Sequence, residues 1–164
     1  MPFSDAQRLW VTVSLYISVV AWLYAIGTLI KLLRVPALQR LIGQGRFAGQ
    51  VRRLNEPFYI VCGYGDTGSV VVRSMIERNL GAVVIDNNQD RLNELMLENL
   101  PVHVPGLCAD AGLPANLSLA GLNHPDCRGV LALCRDDLVN LKIAITCRLL
   151  SPGLTVICRA QTHD

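Results

Sequence analysis

The chain has 164 residues and a formal net charge of +2, enough for one compact domain and a short appendage. The positive charge is local: Lys31, Arg34, Arg40, Arg46, Arg52 and Arg53 lie in a stretch without Asp or Glu, and acidic residues outnumber basic ones from Glu56 onward. A basic block beside an apolar segment is not a nucleic-acid surface, so nucleic acid is excluded as a partner. The cysteines Cys62, Cys108, Cys127, Cys134, Cys147 and Cys158 form no CxxC pair and mostly sit in apolar runs. That excludes a disulfide framework and a zinc site, and it agrees with a reducing compartment.

Leu9 to Ile30 carries no charged residue. About 22 residues make a helix of about 33 Å, against a bilayer core of about 30 Å. A signal peptide would need a basic start, a shorter apolar run and a small-residue cleavage site. Here Met1 to Asp5 is not basic, and Lys31 to Arg34 follows where cleavage would fall. The reading is therefore an extracytoplasmic tail over residues 1–8 and a transmembrane helix over 9–33. The basic flank places the C-terminal side in the cytoplasm. Trp10 is placed to anchor the outer end, and Ser14, Ser18, Ala21 and Ala25 form a small-residue stripe suited to close helix packing. Residues 34–55 are a basic linker in which Pro36 breaks the outgoing helix and Gly43, Gly45 and Gly49 weaken any helix that follows. Its arginines are suited to anionic headgroups.

From residue 56 the pattern changes to alternating strands and helices. Phe58 to Cys62 is a buried strand that runs into Gly63-Tyr64-Gly65-Asp66-Thr67-Gly68. A helix follows, with Val71, Val72, Met75, Ile76 and Leu80 facing inward, and then a second strand, Ala82 to Ile85, ending at Asp86. A glycine turn between strand and helix, with an acidic residue ending the next strand, is a dinucleotide-binding fingerprint. Gly63 permits the turn, Gly65 lets a pyrophosphate approach and Gly68 lets helix and strand pack closely. The helix N-terminus offers N–H groups to phosphate, and Asp86 accepts from ribose hydroxyls. The alternation continues with a helix over 89–99 (Leu92, Leu95 and Met96 inward), a strand over 101–104 and a partly helical segment over 112–122. A strand over 129–134, a helix over 136–150 and a strand over 154–158 complete it. The fold class is α/β: a Rossmann-type parallel sheet with helices on both faces, preceded by one transmembrane α-helix. A Rossmann sheet often has six strands, so the domain reads as truncated after the fifth.

Phe58 to Ala160 resembles the N-terminal lobe of the RCK domain, the regulator of potassium conductance. The resemblance rests on the glycine turn with Asp86, and on Ala109-Asp110-Ala111, similar to the family's Gly-Asp-Ala. It rests also on Asp136-Asp137-Leu138-Val139-Asn140 and on Val156-Ile157-Cys158-Arg159-Ala160. It implies a ligand, NAD(H) or ADP/ATP, over Gly63, Tyr64, Gly65, Asp66, Thr67 and Gly68. Asp86 and Asn87 would lie at the ribose, and Asp110 and Ala111 near the adenine side. Asp66 stands where many members carry Arg. Its carboxylate repels a pyrophosphate unless it turns away or a cation bridges the two, which brings in a divalent cation such as Mg²⁺ or Ca²⁺.

By this resemblance the chain is a regulatory, non-enzymatic part of a potassium channel or potassium-transport system. It would be single-pass in the inner or plasma membrane, assembled as a homo-oligomer (a tetramer or ring), and joined to a pore-forming potassium channel segment. No Thr-Val-Gly-Tyr-Gly filter is present, so the conducting part is expected elsewhere. Two other readings share the fingerprint: a membrane-anchored NAD-dependent oxidoreductase, and the regulatory lobe of a cation–proton antiporter. Against the first, His103 and His124 lie in no acid–base arrangement.

Overall fold

The computed structural model describes residues 5–33 and 36–161. Residues 1–4 of the predicted tail, Arg34 and Val35 of the linker, and residues 162–164 lie outside that part. The chain divides into two compact units, Met1–Ile42 and Gly43–Asp164.

The first unit is dominated by α1 (Asp5–Leu33). Its segment Gln7–Lys31, 25 residues of mean hydropathy 1.9, is long and apolar enough to cross a membrane. Leu9, Trp10, Leu15, Ile17, Trp22 and Leu29 are all exposed. A helix apolar all round is stable only when lipid or other helices cover it. Its hydroxyls suit such a medium: those of Thr12, Ser18 and Thr28 donate to the carbonyls of Arg8, Ser14 and Tyr24, each at 2.9 Å. Two members of the predicted small-residue stripe, Ser14 and Ser18, are thus bonded along the helix itself.

Helix α2 (Pro36–Val51) begins on a proline, whose missing N–H costs nothing at a first helical position. Gly43, Gly45 and Gly49, expected to weaken a helix here, do not stop it: the helix runs through all three. Each glycine faces open space. In the second unit, Phe47 and Val51 are buried among Phe58, Leu117 and Leu122. Burying two such side chains contributes about 1.5–3 kcal/mol apiece, more than the glycines cost at about 1 kcal/mol each.

The second unit is a five-stranded sheet of β1 (Phe58–Cys62), β2 (Gly81–Asp86), β3 (Gly106–Cys108), β4 (Cys127–Ala132) and β5 (Thr155–Cys158). Its order is β3-β2-β1-β4-β5, and every pairing is parallel. Helices α3 (Asp66–Glu77) and α4 (Gln89–Leu97) supply one core with Val61, Ala82 and Val84. The end of α2, α5 (Pro114–Leu119) and α6 (Asp137–Leu150) supply the other with Phe58, Ile60, Cys62, Val83 and Ile85. Alternate strand residues enter opposite cores, so both kinds of position are apolar and the strands read as continuous hydrophobic runs.

Three local expectations are corrected. The third strand is Gly106–Cys108, not 101–104. Pro101 and Pro105 lack ladder donors, and β2 instead reaches the Pro105 carbonyl through the Val84 N–H at 2.9 Å. Leu80 is exposed because α3 ends at Glu77 and Asn79 takes a left-handed turn (φ 58°). Met96 is 76% exposed, since Leu92 and Leu95 already fill the α4 contact.

Candidate functional site

The strand order reverses direction between β1 and β4, which opens a crevice at their C-terminal ends. A cleft of about 700 Å³ lies there. Of the positions expected from sequence, Gly63, Gly65, Asp66, Thr67, Asp86, Asn87, Asp110 and Ala111 line it. Tyr64 and Gly68 do not line it and act behind it.

The glycine turn is fixed by close backbone approaches. Gly63 has φ +99°, and a Cβ there would lie 2.9 Å from the Cys134 nitrogen, so the β1 and β4 loops meet only over a glycine. A Cβ on Gly68 would lie 2.0 Å from the Gly63 carbonyl oxygen, so α3 begins directly against the strand it follows. Gly65 is the N-cap of α3 and provides no side-chain cap, whereas Asn88 and Asp136 cap α4 and α6 through the Asp90 and Leu138 N–H groups. The first-turn N–H groups of α3 are therefore open to an anion.

Asp86 is 4% exposed and held from three sides. Its Oδ2 accepts from the Tyr64 N–H at 2.6 Å, and its Oδ1 from the Asn88 N–H at 2.7 Å. Arg91 stands 3.5 Å from Oδ2. An ionised carboxylate has about four acceptor positions, so capacity for a further hydroxyl remains. Asp110 is shaped differently. Its Oδ1 accepts from the Gly112 N–H at 2.7 Å, and its carbonyl from Asn116 Nδ2 at 2.8 Å, which fixes the loop after β3. Burial first, then the carboxylates of Asp86, Asp110 and Asp136, push the Cys134 thiol at the cleft wall up to about 11.

Residues 59–164 match the family described as the TrkA-N domain. The chain belongs to that family. It is 31% identical over 106 residues to Probable potassium channel protein 2 of Methanocaldococcus jannaschii, covering 65% of this chain and 30% of the relative. It is 23% identical over 160 residues to Potassium channel protein 1 of the same organism, covering 98% of this chain and 46% of the relative. The chain thus spans less than half the length of either. Among solved structures it resembles the GsuK channel bound to NAD, with TM-score 0.54 and 17% identity over 65% of this chain and 18% of that one. At that identity the likeness is one of fold.

Three TrkA-N residues that sequence reasoning did not single out organise the cleft. Arg91, five positions after Asp86, crosses to the glycine turn, where its Nη1 is 3.3 Å from the site of a Gly65 Cβ. Asn140, 1% exposed, ties the two strand ends together. Its Oδ1 accepts from the Cys134 N–H at 2.9 Å, and its Nδ2 donates to the carbonyls of Cys134 and Arg159, both at 3.0 Å. Arg159 lines the cleft from the end of β5. Asn140 and Arg159 both lie within segments that carried the family resemblance, so the motifs marked the right stretches without revealing the roles.

Tyr64 turns its ring away from the cleft into the α3/α4 core. Its hydroxyl is buried with no partner in hydrogen-bonding geometry. Burial first, then the Glu98 carboxylate, through its charge and as a loosely placed acceptor for the hydroxyl, raises its pKa to about 12. A buried unpaired hydroxyl costs about 1–3 kcal/mol. Tyr64→Phe is expected to raise the thermal midpoint of the full chain by a few degrees, measured by circular dichroism. A lower midpoint would mean that the hydroxyl is bonded in solution.

Proposed function

We propose that the chain is the nucleotide-sensing regulatory part of a potassium channel or potassium-transport system, and that its cleft takes NAD(H). The observation that carries this reading is the convergence of an uncapped α3 N-terminus and the pinned carboxylate of Asp86 on one cleft. The first suits phosphate and the second suits ribose hydroxyls. Gly63, Gly65 and Thr67 lie along the phosphates, Asp86 and Asn87 at the ribose, and Asp110 and Ala111 toward the base. Tyr64 and Gly68 support the turn from behind. ADP and ATP carry the same adenosine and phosphate groups and compete for the cleft. A divalent cation accompanies them where Asp66 faces phosphate.

The channel relatives and the NAD-bound channel of similar fold support this assignment. Helix α1 crosses the inner or plasma membrane once, and the basic residues after it hold the TrkA-N domain in the cytoplasm. The pore-forming segment belongs to the assembled channel. Leu138, Leu141, Ile145 and Leu149 form an exposed apolar row along α6, which suits association of several copies in a tetramer or ring. The domain acts as a sensor and not as an oxidoreductase; hydride transfer from NADH to a carbonyl substrate would reverse that assignment.

The test is a chimera in which this chain replaces the matching segment of Potassium channel protein 1, reconstituted in liposomes. Saturating NAD⁺ or NADH is expected to change potassium flux about 5-fold or more, the lower range of allosteric coupling. Flux unaffected by NAD⁺, NADH, ADP and ATP would contradict the reading.

A further inference from the structure

At the point where phosphate would meet the glycine turn, the chain presents a carboxylate: Asp66 is the first residue of α3 and is exposed. The electropositive N-terminus of α3 faces that charge as well as any ligand. A pyrophosphate in this cleft needs a cation from another wall. Arg91, Arg135 and Arg159 all line the cleft. Arg91 is engaged by Asp86 at 3.5 Å, and Arg135, just beyond the end of β4, makes no hydrogen bond to the α3 turn among the described residues. Arg159 is placed differently. Its Nη1 reaches across from β5 to within 3.4 Å of the Thr67 Oγ1, one residue beyond Asp66. Its backbone is pinned, the N–H donating to the Ala132 carbonyl at 2.9 Å and the carbonyl accepting from Asn140 Nδ2 at 3.0 Å. The guanidinium itself has no carboxylate within ion-pair distance among the described residues. A rigid strand end thus carries a cation over the α3 turn, held by one long contact with a neutral hydroxyl.

We infer that Arg159 is the phosphate-binding cation of this cleft, and that it makes the site selective for ligands carrying a pyrophosphate over the bare nucleoside. The inference rests on the nucleotide reading above. A guanidinium meets phosphate oxygens with two parallel N–H donors, which a hydroxyl cannot match. Ligand therefore displaces the Thr67 contact. It also ties the end of β5 to the start of α3, both of which line the cleft.

The test is isothermal titration of the full chain in detergent micelles with ADP, NAD⁺ and adenosine, for the unmodified protein, Arg159→Ala and Arg159→Lys. Arg159→Ala is expected to weaken ADP and NAD⁺ by about 10- to 100-fold while leaving adenosine unchanged, the size of a charge-assisted phosphate contact. Arg159→Lys keeps the charge without the fork and is expected to fall between. Unchanged ADP affinity in Arg159→Ala overturns the inference and leaves the nucleotide reading standing. Equal losses for ADP and adenosine also overturn it, because they indicate a structural role. An unmodified protein that binds none of the three overturns both.

Discussion

Gly68→Ala is expected to lower the thermal midpoint of the chain by about 10 °C or more and to abolish nucleotide binding. The added Cβ would lie 2.0 Å from the Gly63 carbonyl oxygen and 3.0 Å from its carbon. Both are backbone atoms, so relief requires moving α3 off β1, and an overpacking clash of this kind costs about 3 kcal/mol. The sheet holds about 5–15 kcal/mol in total, so the domain folds but loses the geometry of the turn. Gly65→Ala is the control. Its Cβ would meet only the far end of the Arg91 side chain at 3.3 Å and no backbone, and its midpoint is expected to stay close to that of the unmodified protein. Equal midpoints for the two variants in a circular-dichroism melt would remove the close-packing role assigned to Gly68.

Replacing Asp86 has the second largest effect. Asp86→Ala leaves the Tyr64 and Asn88 N–H groups without their acceptor and strands Arg91 beside a buried gap. Stability is expected to fall by about 3 kcal/mol, and NAD⁺ no longer to raise the melting midpoint. Asp86→Asn keeps one acceptor oxygen and separates the two roles. It is expected to lose less stability than Asp86→Ala while still losing most of the NAD⁺-dependent shift. An Asp86→Asn protein stabilised by NAD⁺ as fully as the unmodified one would show that Asp86 supports the fold and not the ligand.

What could be read from sequence followed physical rules that act locally. The buried parallel strand Phe58–Cys62, the glycine turn after it and Asp86 at the end of β2 were legible because a parallel sheet is apolar on both faces and its ligand turn needs glycine at fixed spacing. The α6 start was legible because Asp136 and Asp137 put negative charge where the helix dipole favours it; the structure adds that Asp136 caps the helix through its own side chain. Misplaced elements were those decided by tertiary contacts. Phe47 and Val51 carry α2 through three glycines because they enter a core assembled mainly from later residues. The third strand moved past Pro105 because register with β2, not local hydrophobicity, selects which residues pair. In the cleft, the loop positions were visible from motif spacing. Arg91, Asn140 and Arg159 act on backbone or side chains 19 to 92 positions away or across a turn, as the Asn140–Arg159 and Arg159–Thr67 contacts do. No spacing rule reports those.

The proposed sensing role requires that NAD(H) bind this TrkA-N domain in the cleft between β1 and β4. Titration of the full chain with NAD⁺ and NADH, followed by thermal denaturation, tests it most directly. At a free ligand concentration of 100 times Kd the expected result is about 2.7 kcal/mol of added stability, most of it lost in Asp86→Asn. No change in midpoint with NAD⁺, NADH, ADP or ATP, with or without Mg²⁺, would contradict it.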